Sequence, residues 1–439
     1  MDKQGGVMNK RVLGIGCVVL AGLLARCEPE KEFFFKDNDS VVFLGDSITQ
    51  QKLYTTYLEA YTLTRFPDRR FRFRNVGWGG DTAWLRKRFK TDEKALFSAT
   101  GAMLDEMVEK AVRAGLQRDV LPHKPTAVTV KFGMNDHAYQ AFREDICRAY
   151  ARSQKEIVNI LKAEGARVAL LTPQPIEDKP PAEHDKSVKN QSLRKFSDAL
   201  RDVAAAKGAV YVDQFEPYMK LMLAARAAKP DAMIGGGDAV HPGPAGHTLM
   251  AWTILKQLQA PALVSAGGVD VSRWFFRSKV MCQKNCTLSN VKVRKDTVSF
   301  DRLDHALPMP VDARAAAALS LAPVSDELNR YMLRVEGLKA ARYALTIDGL
   351  HVAAFSREEL AKGVNLANYS TPNAVQAMQV LDLVFKKNDV YFERWRKVQL
   401  ENGPAAKLAE LDTRIAELEA QIDAARKPRP HRFELTPRP

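Results

Sequence analysis

"VVFLGDSITQ", residues 41–50, sets four apolar residues directly against an acid and a hydroxyl. The apolar run lacks the polar alternation of a strand with one solvated side, so it reads as a strand buried on both faces. Gly45, Asp46 and Ser47 then end it with the residue types that turns recruit. Ser47 has two readings: a turn residue, or a nucleophile exposed at the carboxyl end of a strand.

Four more short runs repeat the pattern downstream: "FRFRNV" (71–76), "AVTVKF" (127–132), "RVALLT" (167–172) and "AVYVD" (209–213). Between them, segments 53–64, 102–116, 140–164 and 187–207 carry apolar residues at helical spacing. A further helix, "PAGHTLMAWTILKQLQ" (244–259), is opened by Pro244, a residue favoured in the first turn. Five strands alternating with helices predict an α/β fold. Right-handed crossovers make it a three-layer α/β/α sandwich around a five-stranded parallel, flavodoxin-like sheet over residues 38–260.

The texture changes after "APALVSAGGVD" (260–270). Alternating residues and turn dipeptides, including Asp348-Gly349 in "IDGLHV", predict a small β-rich module over 265–355. Helical texture returns over 357–426. There Leu408, Leu411, Ile415, Leu418, Ile422 and Ala425 form a seam that serves either a helix packed on its own chain or a homodimer through 408–425. The four prolines of "KPRPHRFELTPRP" make 427–439 a flexible tail in this reading.

With 46% hydrophobic and 27% charged residues among 439, the chain is globular and long enough for two or three domains. Its net charge of +14 is spread along the whole sequence rather than gathered in a block. That distribution argues against a nucleic-acid partner and leaves an acidic polysaccharide or an anionic envelope surface. Lys10 and Arg11 precede the apolar run "VLGIGCVVLAGLLA" (12–25), too short for a membrane span and suited to an export signal over residues 1–27. "LLARC" also partly matches a lipoprotein cleavage box, so plain cleavage is the first reading and a lipid tether on Cys27 the second. The expected location is therefore the periplasm, the exterior or the envelope. In such a compartment Cys282 and Cys286 suit a local disulfide, whereas Cys147 sits in a helical pattern as a small buried residue. Two thiols without further Cys or His fall short of a metal site.

Ligands of parallel sheets bind beyond the carboxyl ends of the strands, and the informative residues lie there. "GDS" follows the first strand, "NVGWGGDT" (75–82) the second and "GMND" (133–136) the third, while "DAVHPG" (238–243) precedes the last helix. A serine that attacks an ester needs an imidazole to accept its proton, and His241 is the candidate. Asp238, three residues earlier, is placed to hold that ring, and Pro242 biases His241 toward extended backbone. Donors for a tetrahedral oxyanion are available at the Ser47 and Gly80 N–H groups and the Asn135 amide. Trp78 and the loop "TPQPIEDKPPAEHDK" (172–186) are candidate sugar contacts, with packing under the oxyanion loop the structural alternative for Trp78.

"GDSIT", "NVGWGGDT", "GMND" and "DAVHP" together resemble, in order, the four blocks of the SGNH hydrolases, or GDSL-type esterases and lipases. The resemblance covers residues 38–260. It implies Ser47 as nucleophile, Asp238 and His241 as its triad partners, and Ser47, Gly80 and Asn135 as oxyanion donors, with no metal or organic cofactor. The region 265–400, including "SDELNRYMLRVEGL" and "AFSREELAKGVNLA", is similar to the C-terminal extension of exported bacterial members. The implied activity is a serine carboxylic-ester hydrolase, with acetyl or other short acyl groups on carbohydrates as the first substrate class. A lipase, lysophospholipase or thioesterase is the second reading, and an envelope scaffold with a vestigial core the third.

Overall fold

The structure is a computed structural model that describes residues 32–178, 187–272 and 279–438. The leader with Cys17 and Cys27, and most of the loop expected to touch a sugar (179–186), lie outside the described residues.

Five strands alternate with helices as expected: β1 (Asp39–Gly45), β2 (Phe71–Asn75), β3 (Ala127–Lys131), β4 (Arg167–Leu171) and β5 (Val210–Val212). They form one parallel sheet in the order β2-β1-β3-β4-β5. Helices α1 (Ser47–Gln50), α2 (Leu53–Arg65), α3 (Glu93–Ser98), α4 (Gly101–Asp119), α5 (Glu144–Ala163), α6 (Val188–Lys207), α7 (Phe215–Ala228) and α8 (Pro244–Gln257) complete this part. Strand alternation divides the core between the two faces. Val41 and Phe43 of β1 pack with Tyr54 and Leu58 of α2 and Leu249 of α8. Val42 and Leu44 pack with Val108 and Val112 of α4 and Ile157 of α5. Because both faces are covered, the strand carries no polar side, which is what made it legible.

The C-terminal strands are β6 (Leu263–Asp270), β7 (Val280–Lys284), β8 (Cys286–Arg294), β9 (Thr297–Asp304), β10 (Arg330–Glu336), β11 (Arg342–Ile347), β12 (Leu350–Ser356), β13 (Val364–Asn365) and β14 (Pro430–Arg438). They build two sheets, β13-β10-β6-β7 and β12-β11-β14-β9-β8, that share one apolar core. Short helices α9 (Ala318–Leu321), α10 (Val324–Leu328) and α11 (Arg357–Lys362) join them, and α12 (Pro372–Phe392) and α13 (Ala405–Ala425) precede β14.

Two expectations are corrected here, and of the two readings of the last helix's seam the structure shows packing on its own chain. Residues 427–439 are not a flexible tail over their length: β14 pairs with β9 on one side and β11 on the other, and buries Phe433 and Leu435 completely. The seam of the last helix does not face outward for a second copy. Leu411, Ile415, Leu418 and Ile422 are buried within the chain, Ile422 with Val380 and Val384 of α12, and Ile415 with Tyr391 and Trp395. Cys282 and Cys286 are free thiols. They sit on β7 and β8, which belong to different sheets, and each Sγ points at the Ala266 carbonyl, at 3.6 and 3.4 Å.

The C-terminal helices are also more than an appendage. Phe33–Pro439 make up one compact unit. Lys387 of α12 reaches Glu59 of α2 at 2.6 Å, and both side chains are buried.

Candidate active site

β1 ends at Gly45, where a Cβ would meet Thr49 Oγ1 at 2.2 Å, so only glycine permits the chain to turn tightly into α1. Asp46 caps that helix, its Oδ1 accepting the Ile48 N–H at 3.0 Å. Ser47 is thereby the first residue of α1, and its Oγ lies 2.9 Å from His241 Nε2. His241 Nδ1 lies 3.1 Å from Asp238 Oδ2. The other Asp238 oxygen accepts the N–H groups of Val240 and His241, both at 2.7 Å, and the Asp238 N–H donates to the His241 carbonyl at 3.1 Å. The carboxylate is thus fastened to the turn that carries its imidazole. Slight desolvation works to raise the Asp238 pKa, but the two backbone donors and the His241 ring outweigh it and hold the carboxyl below its usual range. The Asp238 side chain is 67% exposed and that of His241 37%.

The oxyanion candidates come from the loops after β2 and β3. Gly80 has φ +72°, a left-handed conformation suited to glycine. Neither its N–H nor that of Ser47 meets an acceptor among the described residues. Asn135 Nδ2 donates to the Asp81 carbonyl at 2.9 Å, and Asn135 Oδ1 accepts the Tyr139 hydroxyl at 3.3 Å. An amide nitrogen carries two hydrogens, so one Asn135 donor stays available beside Gly80. Ala138 and Tyr139 both hold left-handed backbone, at φ 54° and 55°, which is strain stored next to Asn135. The Trp78 N–H donates to the Gly45 carbonyl at 2.9 Å, tying the second loop to the strand that presents Ser47.

Residues 43–249 match the model of the GDSL-like lipase/acylhydrolase family. This segment belongs to that family. It is a hydrolase domain of the serine carboxylic-ester class. Over nearly the whole chain the fold is similar to that of a gut microbial diltiazem-metabolizing enzyme, at 24% identity and a TM-score of 0.77, covering 92% of this chain and 98% of that one. An acetylxylan esterase from Geobacillus stearothermophilus is 19% identical with a TM-score of 0.39, covering 51% of this chain and 95% of that one. An α/β hydrolase from the metagenome of Lake Arreo, Spain, is 22% identical with a TM-score of 0.40, covering 52% and 98%. No curated protein matches the sequence.

Several residues that shape the GDSL-like site escaped sequence reading. Arg88 is fully buried and brackets the loop 77–80: Nη2 donates to the Val76 carbonyl before it, and Nε to the Asp81 carboxylate after it at 2.8 Å. Asp136 accepts the Ala83 and Gly133 N–H groups, one on each oxygen at 2.8 Å, and so joins the loops after β2 and β3. Burial pushes its carboxyl up to about 7. The histidine turn is braced from behind. Glu177, itself buried, accepts the Ile234 and Gly235 N–H groups, and its own N–H donates to the Ala239 carbonyl at 2.8 Å. Lys131 donates to Gln174, and Gln174 donates to the Val240 carbonyl, at 2.8 and 3.0 Å. Burial pushes the Lys131 ammonium down to about 8, with Asp46 opposing that shift. A charged residue inside the run "AVTVKF" was the one available signal for Lys131.

Trp78 is occupied by the protein itself. Its ring carries the Arg396 guanidinium at 3.4 Å, has Arg118 at 5.0 Å and Arg88 at 5.5 Å, and meets Trp395 edge-on at 6.0 Å. These contacts are the ones the packing alternative calls for, on a ring that stays half-buried in the loop that carries Gly80. Among the described residues, no group of three or more His, Cys, Asp or Glu side chains converges on a metal position. No described helix is long and apolar enough to cross a membrane.

Proposed function

We propose that the chain is an exported esterase that removes short acyl groups, acetyl foremost, from carbohydrate alcohols, with Ser47 as its nucleophile. The observation that carries the reading is the hydrogen-bonded series Ser47 Oγ, His241 Nε2, His241 Nδ1 and Asp238 Oδ2 within a GDSL-like domain. Ser47 Oγ attacks the ester carbonyl while His241 Nε2 takes its proton, and Asp238 stabilises the imidazolium. The Ser47 and Gly80 N–H groups and the Asn135 amide receive the oxyanion. Collapse of the tetrahedral species expels the alcohol, which takes the proton back from His241. Water, deprotonated by the same imidazole, then cleaves the acyl-serine and restores Ser47.

A bulky alcohol is supported by the exposure of His241 and Asp238, since a glycan chain must reach the imidazole to receive its proton. Export is supported by Lys10, Arg11 and the apolar run 12–25. The name of the structural relative that spans most of the chain adds diltiazem to the substrates to be tried.

The test compares wild type and Ser47→Ala on p-nitrophenyl esters of increasing acyl length and on acetylated xylo-oligosaccharides. Activity on acetyl substrates that falls with chain length and vanishes in Ser47→Ala is the expected result. Activity that rises with chain length moves the assignment to a lipase, and equal turnover by both proteins removes Ser47 from the chemistry. The N-terminal residue of protein recovered from a bacterial periplasm checks export.

A further inference from the structure

The C-terminal segment meets the active-site domain at Trp78, inside the loop that carries Gly80. Between α12 and α13, residues Glu393–Gln399 form a π-helical stretch, with the Leu400 N–H donating to the Trp395 carbonyl five residues back. Such widened turns are uncommon and concentrate at functional places. This one presents two neighbouring side chains to the loop. Arg396 lies over the Trp78 ring at 3.4 Å, and Trp395, buried, meets the same ring edge-on.

Trp395 also enters the loop from its other end. Its Nε1 donates to Asp119 Oδ1 at 3.4 Å. Asp119 Oδ2 accepts Arg88 Nη1 at 2.6 Å, and Arg88 holds both Val76 and Asp81. Asp81 in turn offers its carbonyl to Asn135 Nδ2. Both proposed oxyanion donors outside Ser47 are therefore linked to the π-helical stretch, Gly80 through the Trp78 ring and Asn135 through Asp81, Arg88 and Asp119. Gly80 is two residues from the ring that Arg396 covers, and Asn135 is bound to a residue that Arg88 clamps. Oxyanion donors act by being fixed in place before charge develops, so a loop free to shift loses rate rather than affinity.

We infer that Arg396 is a positioning residue for ester hydrolysis: stacked on Trp78, it fixes the loop that aims the Gly80 N–H. The inference rests on the proposed roles of Ser47 and Gly80. It gives the C-terminal extension a part in the reaction through a single cation–π contact.

The experiment uses the full chain and p-nitrophenyl acetate, with rates expressed per mole of folded protein. Arg396→Ala is expected to lower kcat about tenfold, with KM changed by less than about twofold. Arg396→Lys, which keeps a cation over the ring, is expected to recover part of that loss. Arg394→Ala alters the same stretch where it pairs with Asp412 instead, and is expected to keep the wild-type kcat. Equal kcat for Arg396→Ala and wild type, beside an inactive Ser47→Ala, overturns this inference alone. So does an equal loss in Arg394→Ala, or a loss in Arg396→Ala that appears in KM, either of which makes the contact merely structural. Equal turnover by Ser47→Ala and wild type overturns the esterase reading and this inference together.

Discussion

Ser47 Oγ and His241 Nε2 lie 2.9 Å apart across 194 residues of chain, while the Asp238 carboxylate behind His241 stands largely in solvent. The two proposed partners of Ser47 are therefore unequal. His241 must move a proton in both half-reactions, whereas an exposed Asp238 can be replaced in part by water at Nδ1. His241→Ala is expected to reduce kcat by at least about 10⁴-fold, with Asp238→Ala roughly a hundredfold less damaging. Steady-state rates on p-nitrophenyl acetate check the order, and equal losses would show that Asp238 acts as a buried carboxylate does.

Glu177 supports the same histidine without touching it. Its carboxylate accepts two N–H groups at Ile234 and Gly235, at the start of the loop that ends in His241. Glu177→Gln keeps the shape but turns one acceptor into a donor facing an N–H. A buried donor left unpaired costs about 1–3 kcal/mol, so the melting temperature should fall by several degrees. Because the loop loosens around His241, kcat should fall more than KM rises. An unchanged melting temperature in differential scanning calorimetry would count against the brace.

The parts of this molecule that were legible in the sequence share a physical cause. β1, β3 and β4 lie inside the sheet and are buried at nearly every position, so each is a largely apolar run, whereas β2 at the sheet edge alternates Phe71 and Phe73 with Arg72 and Arg74; the site residues follow in the motifs at the strands' carboxyl ends. Arg88, Glu177 and Gln174 were invisible because their partners are backbone groups or distant acids, and nothing in their neighbourhood marks them as buried. β14 was misread for a different reason. Phe433 and Leu435 do alternate with polar residues, but Pro430 and Pro437 flank them and suggest a disordered tail. Both prolines stand near the strand's ends, where the sheet needs few donors. The helix seam could be read as apolar, but its partner could not: α12 lies on the same chain and covers it.

The buried pair between α2 and α12 yields a stability prediction with a control. Lys387 Nζ meets Glu59 Oε1 at 2.6 Å, and Asn388 donates to the other oxygen at 3.0 Å. Burial pushes the Glu59 carboxyl up and the Lys387 ammonium down, each opposed by the other's charge. Lys387→Met leaves a buried acid without its cation and should cost about 3–5 kcal/mol in urea unfolding. Lys387→Met with Glu59→Gln removes the stranded charge and should recover much of that loss. A double variant no more stable than the single one would mean that the ion pair is not what α12 contributes there.

Acid should weaken the fold through histidines buried in neutral form. His247 is fully buried beside the site, its Nδ1 accepting the Tyr54 N–H at 3.2 Å and its Nε2 lying 3.0 Å from Gln51 Oε1. That arrangement fits the tautomer with its hydrogen on Nε2, and a second proton would have to enter on Nδ1 against the Tyr54 N–H. Burial, with Lys131 and His241 nearby, pushes the His247 pKa down to about 3. His137, buried next to Asn135, is pushed down to about 4 by the same cause. The unfolded chain takes up protons near pH 6.5 while the folded chain refuses them, so stability is lost as pH falls below that value. For His247 alone the loss between pH 7 and pH 5 should be about 2 kcal/mol. His247→Gln offers an acceptor to Tyr54 and a donor to Gln51 without titrating, and should flatten that part of the curve. Urea unfolding of both proteins at pH 7 and pH 5 measures the difference, and parallel losses would place the acid sensitivity elsewhere in the chain.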